Sequence, residues 1–306
     1  MLHGEMDTDE IVSVLTEVEA NGVGADELSV GVEVMRGHMV KVEVPDGAID
    51  IVGTGGTGLK TLSISTATAL VVAGCGVPVA KHGNRGASSP TGTADTLSEL
   101  GVNIAMSPER ASAAVGEVGI GFLFAPTYHP ALRHVGPARK RIGSRTLFNR
   151  LGPLCNPGEV DFMLVGSAER GLVPAMAEAL RPHVKRALVV SGHDGLDEIT
   201  TTGPTDTHAV GFDHPKVVEP ERYGVERTAP FNLTGGPPAF NAAALRALLD
   251  GVRGPYRDIV VVNATAALSV VEPELSVEDA KAKAEESLDS GVALSILKRL
   301  AEFSHG

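Results

Sequence analysis

Three short segments hold residue types suited to chemistry on an anionic ligand. Gly53-Thr54-Gly55-Gly56-Thr57-Gly58 follows the β-branched run 49–52 and, after Thr61, precedes a hydroxyl-rich helix start, Ser63-Ile64-Ser65-Thr66. Glycines let backbone N–H groups come close to anionic oxygens, and a helix N-terminus adds free donors and partial positive charge. The loop lacks the Gly-Lys-Ser/Thr ending of a Walker loop and the trailing acid of a dinucleotide fingerprint. Taken alone, it is compatible with an anion cradle and with a plain tight turn. The second segment, Lys81-His82-Gly83-Asn84-Arg85-Gly86-Ala87-Ser88-Ser89, follows the apolar run 77–80. It offers one point cation, one forked cation, two hydroxyls at Ser88 and Ser89, and two glycines. The third, Asp194-Gly195-Leu196-Asp197-Glu198, follows the run 187–190. Neighbouring carboxylates repel each other and any phosphate unless a divalent cation lies between them, and Mg²⁺ suits one such pair because water and phosphate oxygens complete its shell. A solvated turn is the alternative for that pair by itself.

These loops need a frame. Short β-branched or apolar runs at 49–52, 77–80, 162–165, 187–190 and 259–262 alternate with helix-like stretches, which predicts an α/β sheet covered by helices. If those strands run parallel, all three loops stand at the carboxyl edge of the sheet, where ligands of open α/β sheets bind. Ahead of the sheet, Ile11, Leu15 and Val18, then Leu28, Val32, Met35 and Met39, fall at helical spacing around a break at Asn21-Gly22, so two short helices are expected. The tail 276–303 is helical again, with Asp279, Lys283 and Glu286 at exposed spacing. Between them, 131–150 gathers Arg133, Arg139, Lys140, Arg141, Arg145 and Arg150, most of which a solvated helix face and loop would explain.

Composition removes several function classes. Over 306 residues, 26 Lys and Arg stand against 38 Asp and Glu, for a net charge of −12. Sequence-independent nucleic-acid binding and docking on an anionic membrane both need dense basic patches, so neither is expected. With 43% apolar and 21% charged residues the chain has material for a sizeable core, and its length suggests about two domains at ~150 residues each. The longest apolar stretch, 69–80, is broken by Gly74, Gly76 and Pro78, too short to cross a bilayer. The acidic start, with Glu5, Asp7, Asp9, Glu10, Glu17 and Glu19, does not read as a signal peptide, and a cytoplasmic location is expected. Cys75 and Cys155 form neither a CxxC nor a zinc spacing and read as reduced packing residues.

In combination the segments resemble the anthranilate phosphoribosyltransferase family. The resemblance runs from about Val14 to Phe303. Its sharpest parts are Lys81 to Ser89 with Gly92 and Asp95, His129-Pro130, the string RTLFNRLGPLCNP from Arg145 to Pro157, and Asp194 to Glu198 followed by Gly203-Pro204-Thr205. It implies a small all-helical domain, residues 1–45 and 127–157, and a larger α/β domain, 46–126 and 158–306, with a central, mostly parallel sheet of the nucleoside phosphorylase/phosphoribosyltransferase type. It implies transfer of the phosphoribosyl group of phosphoribosyl pyrophosphate (PRPP) to anthranilate. Gly53, Thr54, Gly55, Gly56, Thr57, Gly58, Thr61, Ser63, Ser65, Thr66, Lys81, Ser88 and Ser89 would hold PRPP, and Ser65, Asp197 and Glu198 would hold Mg²⁺. Asn84, His82, Arg139 and Pro153 would form the anthranilate site, with Arg139 on the carboxylate and Asn84 orienting the amine. Two positions depart from the family pattern: Thr57 stands where an Asp is usual, and Ser63 where an Asn is usual. Subunit pairing through the helical domain is also implied, weakened by a start shorter than the family's. Three alternatives remain at this stage: a paralogue with another aromatic carboxylate acceptor, a pyrimidine nucleoside phosphorylase-like enzyme, and a non-catalytic nucleic-acid-binding relative. The second lacks the KHGNR and FNRLGPLCNP strings, and the net charge opposes the third.

Overall fold

The computed structural model describes residues 1–86 and 90–306. Its centre is a seven-stranded sheet built from β1 (Ile49–Gly53), β2 (Val79–Gly83), β3 (Ile120–Phe124), β4 (Phe162–Gly166), β5 (Arg186–Gly192), β6 (Thr205–Val210) and β7 (Val217–Val218), in the order β3-β2-β1-β4-β5-β6-β7. The first five strands are parallel, and β6 and β7 join antiparallel at one edge. The α/β expectation with a mostly parallel sheet therefore holds. Strand order reverses between β1 and β4, which places a crevice outside the carboxyl ends of those two strands.

The start of the chain forms two helices, Thr8–Asn21 and Ala25–His38. Asp7 caps the first, accepting the Glu10 N–H at 2.9 Å while Glu10 takes the Asp7 N–H at 2.8 Å. Gly22, at φ +86°, ends it. Ile11, Leu15, Leu28, Val32 and Met35 are buried, as the spacing required. These helices pack on the short helices Gly136–Ile142 and Leu147–Leu151, and Ala25–His38 also lies on the helix Val173–Leu180, which covers β5 and β6.

Two strand expectations need correction. Residues 259–262 are not a strand: they lie in the helix Pro255–Val271, which packs on β1, β4, β5 and the helix Ile64–Gly74. That helix is buried on nearly every side between the sheet, the helix Ile64–Gly74 and the helix Val277–Asp289, so it carries no polar face, and tertiary burial overrides the modest helix propensity of its valines. The run 77–80 begins too early and stops too soon. The strand starts after Pro78 and continues through Lys81 and His82, which are thereby strand residues rather than loop residues. Cys155 is buried and Cys75 half-buried, both as free thiols. Among the described residues no helix is long and apolar enough to cross a membrane.

Candidate active site

The carboxyl ends of β1 and β2 open into a cleft of about 300 Å³. Of the residues singled out in the sequence, Gly53, Thr54, Gly55, Gly56, Thr57, Thr61, Ser63, Ser65, Thr66, Lys81, His82, Asn84, Arg139, Pro153, Asp197 and Glu198 line it. Gly58 does not line it and instead shapes the turn at φ +74°. Ser88 and Ser89 lie outside the described residues. Sequence reasoning missed Asn149, Thr91, Thr93 and Asn241 as lining residues. Asn149 sits inside the RTLFNRLGPLCNP string, which is the signal that could have found it.

The glycine loop is held by partners distant in sequence. Gly53 and Gly166 are register partners at the ends of β1 and β4, and the segment after β5 crosses directly over both. A Cβ on Gly166 would stand 1.5 Å from the Asp197 carbonyl oxygen, and one on Gly53 would stand 2.2 Å from Asp197 Oδ2. That carboxylate accepts the Gly55 N–H at 2.7 Å. The N–H of Thr54 donates to the Gly166 carbonyl at 3.0 Å, and Thr54 Oγ1 accepts the Ala168 N–H at 3.1 Å. Arg145 donates to the Gly55 carbonyl and pairs with Glu169, which also holds Arg150. Arg145 thus leaves the solvated block in which the sequence places it, whereas Lys140 is exposed and Arg141 pairs with Asp9 at the surface. Thr57 is engaged locally: its hydroxyl accepts the Leu59 N–H at 3.1 Å and donates to the Leu59 carbonyl at 3.3 Å. Ser63 Oγ shares a hydrogen bond with Thr96 Oγ1 at 2.7 Å.

Lys81 does not project as a free cation. It is 2% exposed, and its ammonium donates to the Ile51 carbonyl and lies 3.5 Å from Ser65 Oγ. Burial lowers its pKa to about 8, against the pull of Asp50, Glu198 and Asp197. Burial and the neighbouring Asp197 hold the Glu198 carboxyl well above the usual carboxylate range. Glu198 Oε2 is buried without a hydrogen-bond partner. Asp194, the other acid of this segment, organises the loop by accepting from the Thr200 and Thr202 hydroxyls, each at 2.6 Å. Among the described residues no cluster of three or more His, Cys, Asp or Glu could enclose a metal unaided. An unpartnered carboxylate oxygen beside a second carboxylate and a serine hydroxyl on one cleft wall fits a hard divalent cation whose shell is completed by ligand oxygens and water.

The other end of the cleft is lined by His82, His129, Arg139, Phe148 and Pro153. His82 and His129 stand with ring centroids 5.0 Å apart, and His82 Nε2 and both ring nitrogens of His129 are buried without partners. Burial lowers His82 to about 3 and His129 to about 4, so both rings are neutral. Pro153 and Phe148 wall this end. Arg139 leans over the Phe148 ring, 5.8 Å from its centroid, and donates to Asn149 Oδ1 at 3.3 Å. No carboxylate among the described residues pairs with its guanidinium, and burial alone shifts its pKa, downward. Asn84 also lines the cleft, and its Oδ1 accepts the Arg85 N–H at 2.7 Å.

The comparisons with known proteins agree with this geometry. Residues 45–294 match the family described as "Glycosyl transferase family, a/b domain". The chain is 46% identical over 308 residues to an anthranilate phosphoribosyltransferase from Chelativorans sp. (strain BNC1), spanning 100% of this chain and 91% of that one. Its fold is similar to the crystal structure of anthranilate phosphoribosyltransferase from Thermus thermophilus, with a TM-score of 0.94 at 39% identity, covering 100% of this chain and 92% of that one. It is also similar to the Saccharomyces cerevisiae enzyme in complex with PRPP and Mg, with a TM-score of 0.88 at 27% identity over 97% of this chain and 85% of that one. On the match across its whole length and on the shared fold, the chain belongs to the anthranilate phosphoribosyltransferase family.

Proposed function

We propose that this protein transfers the phosphoribosyl group of PRPP to anthranilate, releasing pyrophosphate and giving N-(5-phosphoribosyl)anthranilate, a step of tryptophan biosynthesis. The observation that carries this reading is one cleft with two unlike ends. A glycine loop and a helix N-terminus, suited to a polyanion, line the same cleft as an arginine that no carboxylate of the described residues neutralises.

In this reading the 53–57 backbone, with Ser65 and Thr66 at the start of the helix Ile64–Gly74, holds the pyrophosphate end of PRPP. Lys81 supports that end from below the cleft floor, through Ser65. Asp197, Glu198 and Ser65 would hold Mg²⁺, which supplies charge neutralisation to the departing pyrophosphate when bound. Arg139 pairs with the anthranilate carboxylate, Pro153 and the neutral rings of His82 and His129 flank the aromatic ring, and Asn84 orients the amine. The amine is neutral at pH 7, so its nitrogen lone pair forms the bond to the anomeric carbon as the bond to pyrophosphate oxygen breaks, with inversion. The nitrogen then loses a proton to solvent. No strong base is required, and catalysis is positioning plus charge neutralisation.

Residues 1–45 with 127–157 form the small helical domain in this reading, and the remainder the α/β domain. A homodimer through the helical domain goes with it, supported by Val30 and Val34, which stand exposed on the helix Ala25–His38. Two free thiols suit a reducing cytoplasm. The test is the intrinsic fluorescence of anthranilate, followed with PRPP and Mg²⁺ present and with each omitted in turn. Loss of the signal only in the complete mixture is the expected result. An unchanged signal in the complete mixture, or equal loss with a different aromatic carboxylate, would overturn the choice of acceptor.

A further inference from the structure

The ladder between β1 and β2 stops after one register pair. The pairs β1-β4, β2-β3 and β4-β5 each share five register partners, yet β1 and β2 share only Ile49↔Val79. A parallel ladder continued one step further would join the Ile51 N–H to the Ala80 carbonyl and the His82 N–H to the Ile51 carbonyl. Side chains take three of those groups instead. Asp50 Oδ1 accepts the His82 N–H at 3.1 Å. Asn156 Nδ2 donates to the Ala80 carbonyl and to Asp50 Oδ2, each at 2.8 Å. The Lys81 ammonium donates to the Ile51 carbonyl. Asn156 is itself oriented, since its Oδ1 accepts the Gly158 N–H at 2.7 Å. Asp50, Lys81 and Asn156 are at most 2% exposed.

Three backbone groups that two strands could satisfy mutually, the His82 N–H and the Ala80 and Ile51 carbonyls, are thus satisfied by a buried carboxylate, a buried amide and a buried ammonium. Burying charged groups is a costly substitute for a plain ladder, and it leaves the spacing of two adjacent strand ends to be set by side chains rather than by backbone bonds. Two loops that line the cleft leave from those ends: residues 54–57 from β1 and residues 84–86 from β2.

We propose that Asp50 and Asn156 are positioning residues for the transfer: they wedge β1 and β2 apart and so set the distance between the loop that holds PRPP and the loop that orients the acceptor. This inference rests on the function proposed above. Each substrate keeps the contacts to its own loop when the wedge is lost, while the reacting atoms no longer meet in line. The signature is a transfer rate that falls much more than either affinity.

The experiment compares wild type, Asp50→Asn and Asn156→Ser as full-length protein. Thermal melting gives the folded fraction, separate titrations give Kd for PRPP with Mg²⁺ and for anthranilate, and kcat is measured at saturation. The expected result is a kcat per folded molecule lowered by about thirtyfold or more, with both Kd values within about threefold of wild type. A kcat per folded molecule within threefold of wild type, or affinity losses as large as the rate loss, would overturn the proposal. If Asp50→Asn does not fold, Asn156→Ser carries the same comparison, because it leaves the Asp50 bond to His82 in place. Amide hydrogen exchange over residues 79–83, without substrates, reads the wedge independently of any turnover. It should quicken in Asn156→Ser, and unchanged exchange would contradict the wedge. A wild-type chain that fails to turn over contradicts the function and leaves the exchange arm to decide the wedge.

Discussion

Asp197 Oδ2 accepts the backbone N–H of Gly55 at 2.7 Å, although the two residues are 142 positions apart. The bond ties the acidic loop after β5 to the glycine loop after β1, so the side of the cleft that suits a cation and the side that suits phosphate are placed by one contact. It is possible only because the strand ends beneath it, Gly53 and Gly166, carry no side chains.

Gly166→Ala should therefore damage the protein more than Gly53→Ala. At position 166 the new methyl meets a backbone carbonyl at 1.5 Å, which can move only with the whole 197–198 segment. At position 53 it meets the carboxylate of Asp197, which can swing away at the cost of its bond to Gly55. Urea unfolding should show a loss of about 1–3 kcal/mol for Gly166→Ala and a smaller loss for Gly53→Ala. The Mg²⁺ concentration giving half-maximal rate should rise in both. Equal stability in the two variants would contradict this account of the crossing.

Arg139→Ala should weaken anthranilate far more than PRPP. A half-buried guanidinium with a neutral amide and an aromatic ring as its partners has charge left for a ligand carboxylate. Breaking such a charge-assisted pair costs about 2–4 kcal/mol. Steady-state KM values for the two substrates make the comparison, and an equal loss for both would count against the role of Arg139.

Thr57 stands where the family usually has a carboxylate, and its hydroxyl is occupied within its own turn by Leu59. Cation binding at this end should then depend on Asp197, Glu198 and Ser65. Thr57→Asp is expected to shift the Mg²⁺ dependence of the rate and the apparent PRPP affinity, while Asp197→Ala and Glu198→Ala should nearly abolish turnover. Superimposable Mg²⁺ titrations for wild type and Thr57→Asp would show that position 57 does not influence the metal.

The parts of the site legible in the sequence are those whose chemistry is local. A glycine loop before a Ser/Thr-rich helix start, and Asp197 beside Glu198, declare their character within a few residues, and the β-branched or apolar runs 49–52, 162–165 and 187–190 lie within the strands 49–53, 162–166 and 186–192. What was not legible depends on partners far along the chain. Arg145 looks like one solvated cation among six until its contact with Gly55, 90 positions away, is seen. The bond from Asn156 to Asp50 spans 106 positions. The run 259–262 misled because complete burial erases the polar face that distinguishes a helix from a strand, although Gly254-Pro255 marks a helix start.

The paired histidines set an acid limit to stability. His129 has its folded pKa lowered to about 4 by burial, below the ordinary value of 6.5, so the unfolded chain binds more protons between those values. The contribution is fully present above pH 6.5 and is lost as pH falls toward 4. Between pH 7 and pH 5 the loss from His129 alone is about 2 kcal/mol. His82, lowered to about 3, adds a loss of the same sign. Urea unfolding at the two pH values should show a smaller drop in His129→Gln than in wild type by about that amount, and identical drops would mean that the ring titrates normally in the folded protein.

The most direct test of the central claim is a single assay that counts pyrophosphate released against anthranilate consumed. Transfer within one cleft requires one pyrophosphate per anthranilate, and neither change when PRPP, anthranilate or Mg²⁺ is left out. Pyrophosphate release without anthranilate would make the protein a PRPP hydrolase, and anthranilate loss without pyrophosphate would remove PRPP as the donor. Either result would contradict the account.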